Sequence, residues 1–153
     1  TNKYGQIVRW RPENDDHAND RFTWDLYVMA GNPDVYQNVY GGSENVTNGN
    51  MFNSPDGMAF DSEGILWIQT DGSDAAPYQN NMMLAANPET REIKRFFVGP
   101  QGCEVTGVVS TPDVKTMFVN IQHPEGNWPD SSDPRPRDAT VIVTKDDGGV
   151  IGA

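Results

Sequence analysis

The sequence predicts an all-β protein built from β-propeller-type blades, each an antiparallel four-stranded meander. Three observations support this prediction. Short runs rich in β-branched and aromatic residues recur along the chain, and turn-forming sequences such as SPDG, DSEG, NPETRE and TPDVK separate them. Helical periodicity is almost absent. A strand–turn–strand pattern returns after about 50 residues, an interval typical of propeller blades.

Nine strands are predicted from these runs. In chain order they cover 5–10, 23–31, 57–61, 65–70, 81–86, 92–99, 107–111, 115–122 and 140–146. The repeat is clearest between 54–70 and 104–122, where Gly57 corresponds to Gly107 and Trp67 to Phe118. The run 57–99 therefore predicts a complete meander of four strands joined by short turns.

The repeat divides the chain into three approximate blades: a partial one over 1–53, a whole one over 54–103 and a partial one over 104–153. Because closed propellers typically contain four to eight blades, we expect the chain to be a segment of a larger propeller. Its exposed strand edges would then favour pairing with another copy. A β-meander sandwich is the alternative fold.

Composition limits the classes of partner. The chain has 153 residues and a formal net charge of −11, so its surface repels nucleic-acid phosphates and attracts cations. No apolar run approaches the roughly 18 residues of a membrane-spanning helix. The start, TNKYGQIVRW, reads as sequence from within a domain, and no signal peptide is visible.

Candidate site residues lie where predicted strands begin. The innermost strand of a propeller blade lines the central channel, and its first residues face one mouth. Asp56 precedes the strand 57–61, and Glu104 takes the corresponding region of the next repeat. Two acids from neighbouring blades would converge there, as a hard cation requires. The alternatives are that Asp56 is a turn residue after Pro55 and that Glu104 is a surface acid.

Three further residues are candidates for metal ligands. Asp71 follows the strand 65–70, and His123 follows the strand 115–122. A turn acid and an exposed histidine are the alternatives for these two. Cys103, the single cysteine, is either a ligand or a small buried hydrophobe. The motifs of a serine nucleophile elbow and of a phosphate-binding P-loop are both missing.

Three motifs, in order, resemble one family. They are SPDGMAFDSEGILWIQTDGS, GPQGCEVTGV and TMFVNIQHPEG, and together they cover most of residues 52–126. They resemble the C-terminal half of PhoX-type alkaline phosphatases. The first motif alone is not specific, since other propeller families such as the gluconolactonases carry close versions of it.

The resemblance implies an exported β-propeller of the bacterial periplasm or beyond, sent there by the twin-arginine route. It implies an enzyme that hydrolyses phosphate monoesters with an iron and calcium cluster at the channel mouth. Carried onto this chain, it makes Glu104 a candidate iron ligand and Asp56 a candidate calcium or iron ligand. The family has a cysteine among its iron ligands, and whether Cys103 is that cysteine stays open.

The resemblance also implies that the 153-residue chain alone is inactive, because the family's N-terminal half carries further metal ligands. Two alternative functions stay open at this point. One is a propeller segment that binds partners or acts as a scaffold without catalysis. The other is a calcium-dependent lactonase-type propeller, whose repeats share the Pro-Asp-Gly motif. The Cys-Glu-Val sequence followed by Thr-Gly favours the phosphatase over the lactonase.

Overall fold

The computed structural model describes residues 2–34, 41–72 and 80–152, and confirms the all-β prediction. Nine strands are found in these ranges, each overlapping one predicted from the sequence. They are β1 (Gln6–Pro12), β2 (Phe22–Met29), β3 (Pro55–Phe60), β4 (Leu66–Thr70), β5 (Met82–Ala86), β6 (Ile93–Val98), β7 (Glu104–Ser110), β8 (Thr116–Gln122) and β9 (Ala139–Thr144). One 3₁₀ turn (Glu13–Asp15) follows β1, and no helix of the described ranges is long and apolar enough to cross a membrane.

The strands form three antiparallel sheets in sequential order: β1-β2, β3-β4-β5-β6 and β7-β8-β9. Every neighbour in a sheet is also the neighbour in sequence, as in the meander of a propeller blade. The division into blades at residues 53 and 103, and self-association through strand edges, stay predictions.

The strands β4 and β5 are buried on both faces. Alternate side chains of a strand point to opposite faces of its sheet. Leu66 and Ile68 therefore pack into one apolar cluster with residues of the first sheet, while Trp67 packs into a second cluster with β7 and β8. This arrangement explains why LWIQT and MMLAA are nearly continuous apolar runs rather than alternating ones. The three sheets are consequently stacked face to face.

The innermost strands of the second and third sheets are irregular at corresponding places. The pairing of β3 with β4 shifts between Pro55 and Met58, and that of β7 with β8 shifts between Thr106 and Val108. Both shifts surround a glycine, Gly57 or Gly107, and these two glycines are equivalent in the sequence repeat. A bulge bends a strand and changes the direction of the adjacent side chains. β7 begins at Glu104, three residues before the predicted start, because Glu104 pairs with Gln122 ahead of its bulge.

The ribbon β1-β2 has one exposed apolar face and one face on which charged and buried apolar residues occur together. Trp10 pairs directly with Trp24, and both are more than 60% exposed, together with the exposed Val8 and Phe22. On the other face the Arg9 guanidinium donates two hydrogen bonds to the Asp25 carboxylate, at 2.9 and 2.7 Å. The same face carries the buried Ile7 and Tyr27 of the first apolar cluster, and it packs toward the second sheet.

A group of hydrogen bonds joins this ribbon to the turn between β5 and β6. Arg9 Nη1 donates to the Pro88 carbonyl at 3.1 Å, and the Tyr27 hydroxyl donates to the Asn87 carbonyl at 3.1 Å. In return, Arg91 Nη2 donates to the Tyr27 carbonyl at 2.7 Å. The Asp25 carboxylate lies 3.8 Å from the Arg91 guanidinium as well, so it serves both arginines.

We expect Asp25→Asn to destabilise the chain at neutral pH but not in strong acid. The hydrogen bond from Arg9, together with the charges of both arginines, lowers the pKa of Asp25 below its ordinary value of 3.8. A carboxyl whose pKa is lowered by folding stabilises fully above its ordinary pKa, and that contribution is lost as the pH falls through the lowered value. The difference in unfolding temperature between the wild-type chain and Asp25→Asn, measured from pH 7 to pH 2, tests this expectation.

The matched control is Asp20→Asn, which removes an exposed acid from the loop between β1 and β2. Its unfolding temperature should follow that of the wild-type chain at every pH. A constant deficit of Asp25→Asn down to the lowest pH would contradict the ionic origin of the effect.

Candidate metal centre

Three predicted site residues meet at one edge of the stacked sheets. Asp71 directly follows β4, Glu104 begins β7 and His123 directly follows β8. In antiparallel sheets, the end of a second strand and the beginning of a first strand lie at the same edge. One ligand atom from each of the three side chains lies within 4.8 Å of the others. We refer to Asp71, Glu104 and His123 as the carboxylate–histidine cluster.

The His123 ring is held by backbone and carboxylate groups. Its Nδ1 atom lies 3.1 Å from the Gly102 carbonyl oxygen, and its Nε2 atom lies 3.6 Å from the Glu104 carboxylate. A carbonyl only accepts, so this contact places a proton on Nδ1, and in the neutral ring Nε2 then carries the lone pair that faces the cluster. Metal-binding histidines are commonly oriented in this way, by a hydrogen bond from the other ring nitrogen.

The backbone at His123 is fixed as well. Its N–H donates to the Asp138 carboxylate at 2.6 Å, and its φ of 40° lies in the left-handed region that few residues other than glycine adopt. The carboxylate of Asp138 therefore supports an unfavourable backbone conformation at the residue whose ring enters the cluster. Unfavourable backbone conformations of this kind concentrate at functional sites.

Glu104 is the least exposed member of the carboxylate–histidine cluster. Its side chain is only 12% exposed, against 56% for His123. Burial raises the pKa of Glu104, and the negative charges of Asp71 and Asp56 raise it further, against a smaller lowering by His123. Burial lowers the pKa of His123, but hydrogen bonds to backbone carbonyls and the charges of Glu104 and Asp71 outweigh it, so the net shift is upward.

The other two predicted ligands, Asp56 and Cys103, do not belong to the carboxylate–histidine cluster. Asp56 is exposed on β3, near enough for its charge to act on Glu104, but among the described residues it is not one of the three whose ligand atoms converge. Its role as a ligand stays a prediction. Cys103 is fully buried among Val105, Met83 and Trp67 in the second apolar cluster. These surroundings favour the packing interpretation, and ligation by Cys103 stays a prediction too.

Sequence reasoning missed three amide side chains around Asp71. Asn81 is 5% exposed and hydrogen-bonds on both sides of Asp71, Asn53 fills the space beside Gly72, and Gln69 lies against Gly57. The Gln69 side chain is 1% exposed, and its Nε2 is among the buried atoms without a hydrogen-bond partner. A signal was present in NMMLAA and LWIQT, since a buried amide in an otherwise apolar strand needs a specific partner.

Fold and cluster together define a class of protein: a propeller segment with carboxylate and imidazole groups gathered at one edge of its sheets. Residues 1–125 match the family model described as alkaline phosphatase PhoX, and the chain belongs to this family. This agrees with the resemblance found in its three motifs.

A solved structure also indicates the PhoX family. The chain is similar to Pseudomonas fluorescens PhoX in complex with vanadate, a transition state analogue, with 53% sequence identity and a TM-score of 0.94. The match covers 98% of this chain and 28% of that one, so this chain spans less than a third of its structural relative. The propeller-type fold predicted from the sequence is thereby confirmed. No curated protein sequence matches the chain significantly.

We expect Glu104→Gln to raise the unfolding temperature of the metal-free chain at neutral pH. The substitution keeps the shape of the side chain but removes a partly buried negative charge that Asp71 and Asp56 repel. Calorimetry in the presence of a chelator measures the change. The exposed turn residue Glu63, changed to Gln, is the control and should have little effect. A lower unfolding temperature for Glu104→Gln would show that Glu104 stabilises the metal-free fold.

Proposed function

We propose that this chain forms part of an exported, metal-dependent phosphatase that hydrolyses phosphate monoesters, and that it contributes the carboxylate–histidine cluster to the metal centre. The observation that carries the proposal is the convergence of Asp71, Glu104 and His123 within 4.8 Å in a member of the PhoX family. The related Pseudomonas fluorescens protein was solved with vanadate, a transition state analogue, which fits chemistry at a phosphoryl group.

The donor set of the cluster fits a hard or borderline cation. Two carboxylates supply the oxygen ligands that calcium and ferric iron prefer, and an imidazole nitrogen suits iron. Burial raises the pKa of Glu104, and repulsion by the negative charges of Asp71 and Asp56 raises it further. A cation would offset this repulsion, which supports iron and calcium as the cofactors. Bound there, such ions would supply Lewis-acid stabilisation of negative charge on phosphoryl oxygens.

Each residue of the cluster has a distinct role in this proposal. Glu104, the least exposed, holds a fixed carboxylate from the first residue of β7. His123 presents Nε2 because the Gly102 carbonyl accepts the proton of Nδ1. Asp71, exposed at the end of β4, faces the solvent side, from which a substrate would approach. Asp56 adds negative charge nearby and is proposed as a further ligand for calcium or iron.

The proposal extends to the architecture. The sheets β1-β2, β3–β6 and β7–β9 would be three consecutive blades, divided near residues 53 and 103, of a larger propeller. The family resemblance supports export to the periplasm or beyond. A twin-arginine signal encoded upstream of Thr1, and activity in the periplasmic fraction, would test this localisation.

Metal analysis tests the proposed centre. After equilibration with ferric iron and calcium and removal of free metal, we expect the wild-type chain to retain metal and Glu104→Ala to retain much less. Glu63→Ala, an exposed turn acid, should behave as the wild-type chain does. Retention of calcium without iron would favour the lactonase-type alternative, and equal retention by all three proteins would contradict the cluster as a metal site.

We further expect the 153-residue chain alone to give no measurable hydrolysis of p-nitrophenyl phosphate, with or without iron and calcium. The three ligands of the cluster leave a hard cation short of the six or more that calcium takes. The remaining ligands would come from parts of the longer relative that this chain does not match. Turnover by the purified chain that Glu104→Ala abolishes would show that the described residues suffice for catalysis.

A further inference from the structure

The side chain of Asn81 makes four hydrogen bonds, the full capacity expected of a buried amide. Its Oδ1 accepts from the Thr70 hydroxyl at 2.8 Å and from the Gly72 N–H at 2.7 Å. Its Nδ2 donates to the Gly72 carbonyl and to the Cys103 carbonyl, both at 2.8 Å. The residue is 5% exposed, so water contributes little to these bonds.

These partners flank two members of the carboxylate–histidine cluster. Thr70 and Gly72 lie on either side of Asp71, and Cys103 directly precedes Glu104. Asp71 belongs to the end of the second sheet and Glu104 to the start of the third. One amide therefore bonds to the backbone on both sides of the gap between two sheets, at the two places from which the carboxylates project.

The segment around Asp71 has little freedom to move. The Asp71 N–H donates to the Ser54 carbonyl at 3.1 Å, and Thr70 Oγ1 also accepts from the Met82 N–H at 2.9 Å. A β-carbon on Gly72 would collide with the Asn53 amide, so a larger residue here would require the Asn53 side chain to move. Within this segment, the Asn81 amide supplies the connection to the third sheet.

We propose that Asn81 is a positioning residue for the metal centre, because its amide sets the separation between the Asp71 and Glu104 carboxylates. This inference rests on the proposed function. A residue that only stabilised the fold would change unfolding without changing ion affinity in the folded state. A positioning residue changes affinity in the folded state, as groups behind metal ligands typically do by about 10- to 100-fold.

The chain offers a close control in Asn50. This residue is 7% exposed, and its amide also makes four hydrogen bonds. Oδ1 accepts from the Thr47 N–H and hydroxyl, and Nδ2 donates to the Asn45 and Ile93 carbonyls. Its partners are Thr47, Asn45 and Ile93, and none of these residues flanks a member of the carboxylate–histidine cluster. Asn81→Ala and Asn50→Ala thus remove the same kind of amide at two places.

The test measures binding of Tb³⁺, a luminescent hard cation, to the folded wild-type chain and its variants. We expect Asn81→Ala to weaken Tb³⁺ binding by about tenfold or more and Asn50→Ala by less than about twofold, although both lower the unfolding temperature. Hydrogen exchange in the absence of metal should show faster exchange at the Gly72 amide in Asn81→Ala alone.

A second pair of variants covers the case in which Asn81→Ala does not fold. Thr70→Val removes the hydroxyl that donates to Asn81, and Thr47→Val removes the hydroxyl that donates to Asn50. We expect weaker Tb³⁺ binding in Thr70→Val only.

The outcomes separate this inference from the proposed function. If the wild-type chain binds Tb³⁺ no better than Glu104→Gln, the metal centre itself is wrong and the role of Asn81 falls with it. If Glu104→Gln abolishes Tb³⁺ binding, the metal centre stands. The positioning role of Asn81 is then overturned if Asn81→Ala and Asn50→Ala lose affinity equally or not at all. The same conclusion follows from an equal loss, or no loss, in Thr70→Val and Thr47→Val.

Discussion

The fold depends on the burial of β4 and β5 on both faces. Leu66 and Ile68 fill one apolar cluster and Trp67 fills the other, so the middle sheet packs against a neighbour on each side. Burial of this extent dominates the stability of a small β protein and leaves little freedom in how the sheets stack. Because the stacking is fixed, the end of β4, the start of β7 and the end of β8 meet at one edge. The candidate site is a consequence of core packing.

At that edge, negatively charged side chains lie close together, which is electrostatically unfavourable. Glu104 is mostly buried near two other acids, and the left-handed backbone of His123 is supported by the Asp138 carboxylate. Neither feature improves the packing of the sheets. Local departures of this kind from the best folding choice are expected at sites that serve a function. A cation held by the cluster would offset the repulsion between its carboxylates.

The strands can be predicted from the sequence more completely than the carboxylate–histidine cluster can. Runs rich in β-branched and aromatic residues, with turn residues between them, identify the nine strands found in the described ranges, and the repeat places Glu104 at a blade start. Asp71 and His123 were recognisable as the residues that follow strands, but their convergence depends on sheet stacking. Asn81 could not be assigned a role, because its partners Gly72 and Cys103 lie 9 and 22 residues away. The bulges at Gly57 and Gly107 are likewise visible only in the register.

The two residues that follow the second strands, Asp71 and His123, occupy equivalent places in successive repeats, yet one is an acid and the other an imidazole. Both stand just outside the hydrogen-bonded ladder, so neither identity is dictated by strand pairing. The side chain at this place can therefore differ from one repeat to the next without any change in strand pairing or in the buried core. The chemistry of the cluster and the packing of the sheets thus depend on separate positions of the same repeat.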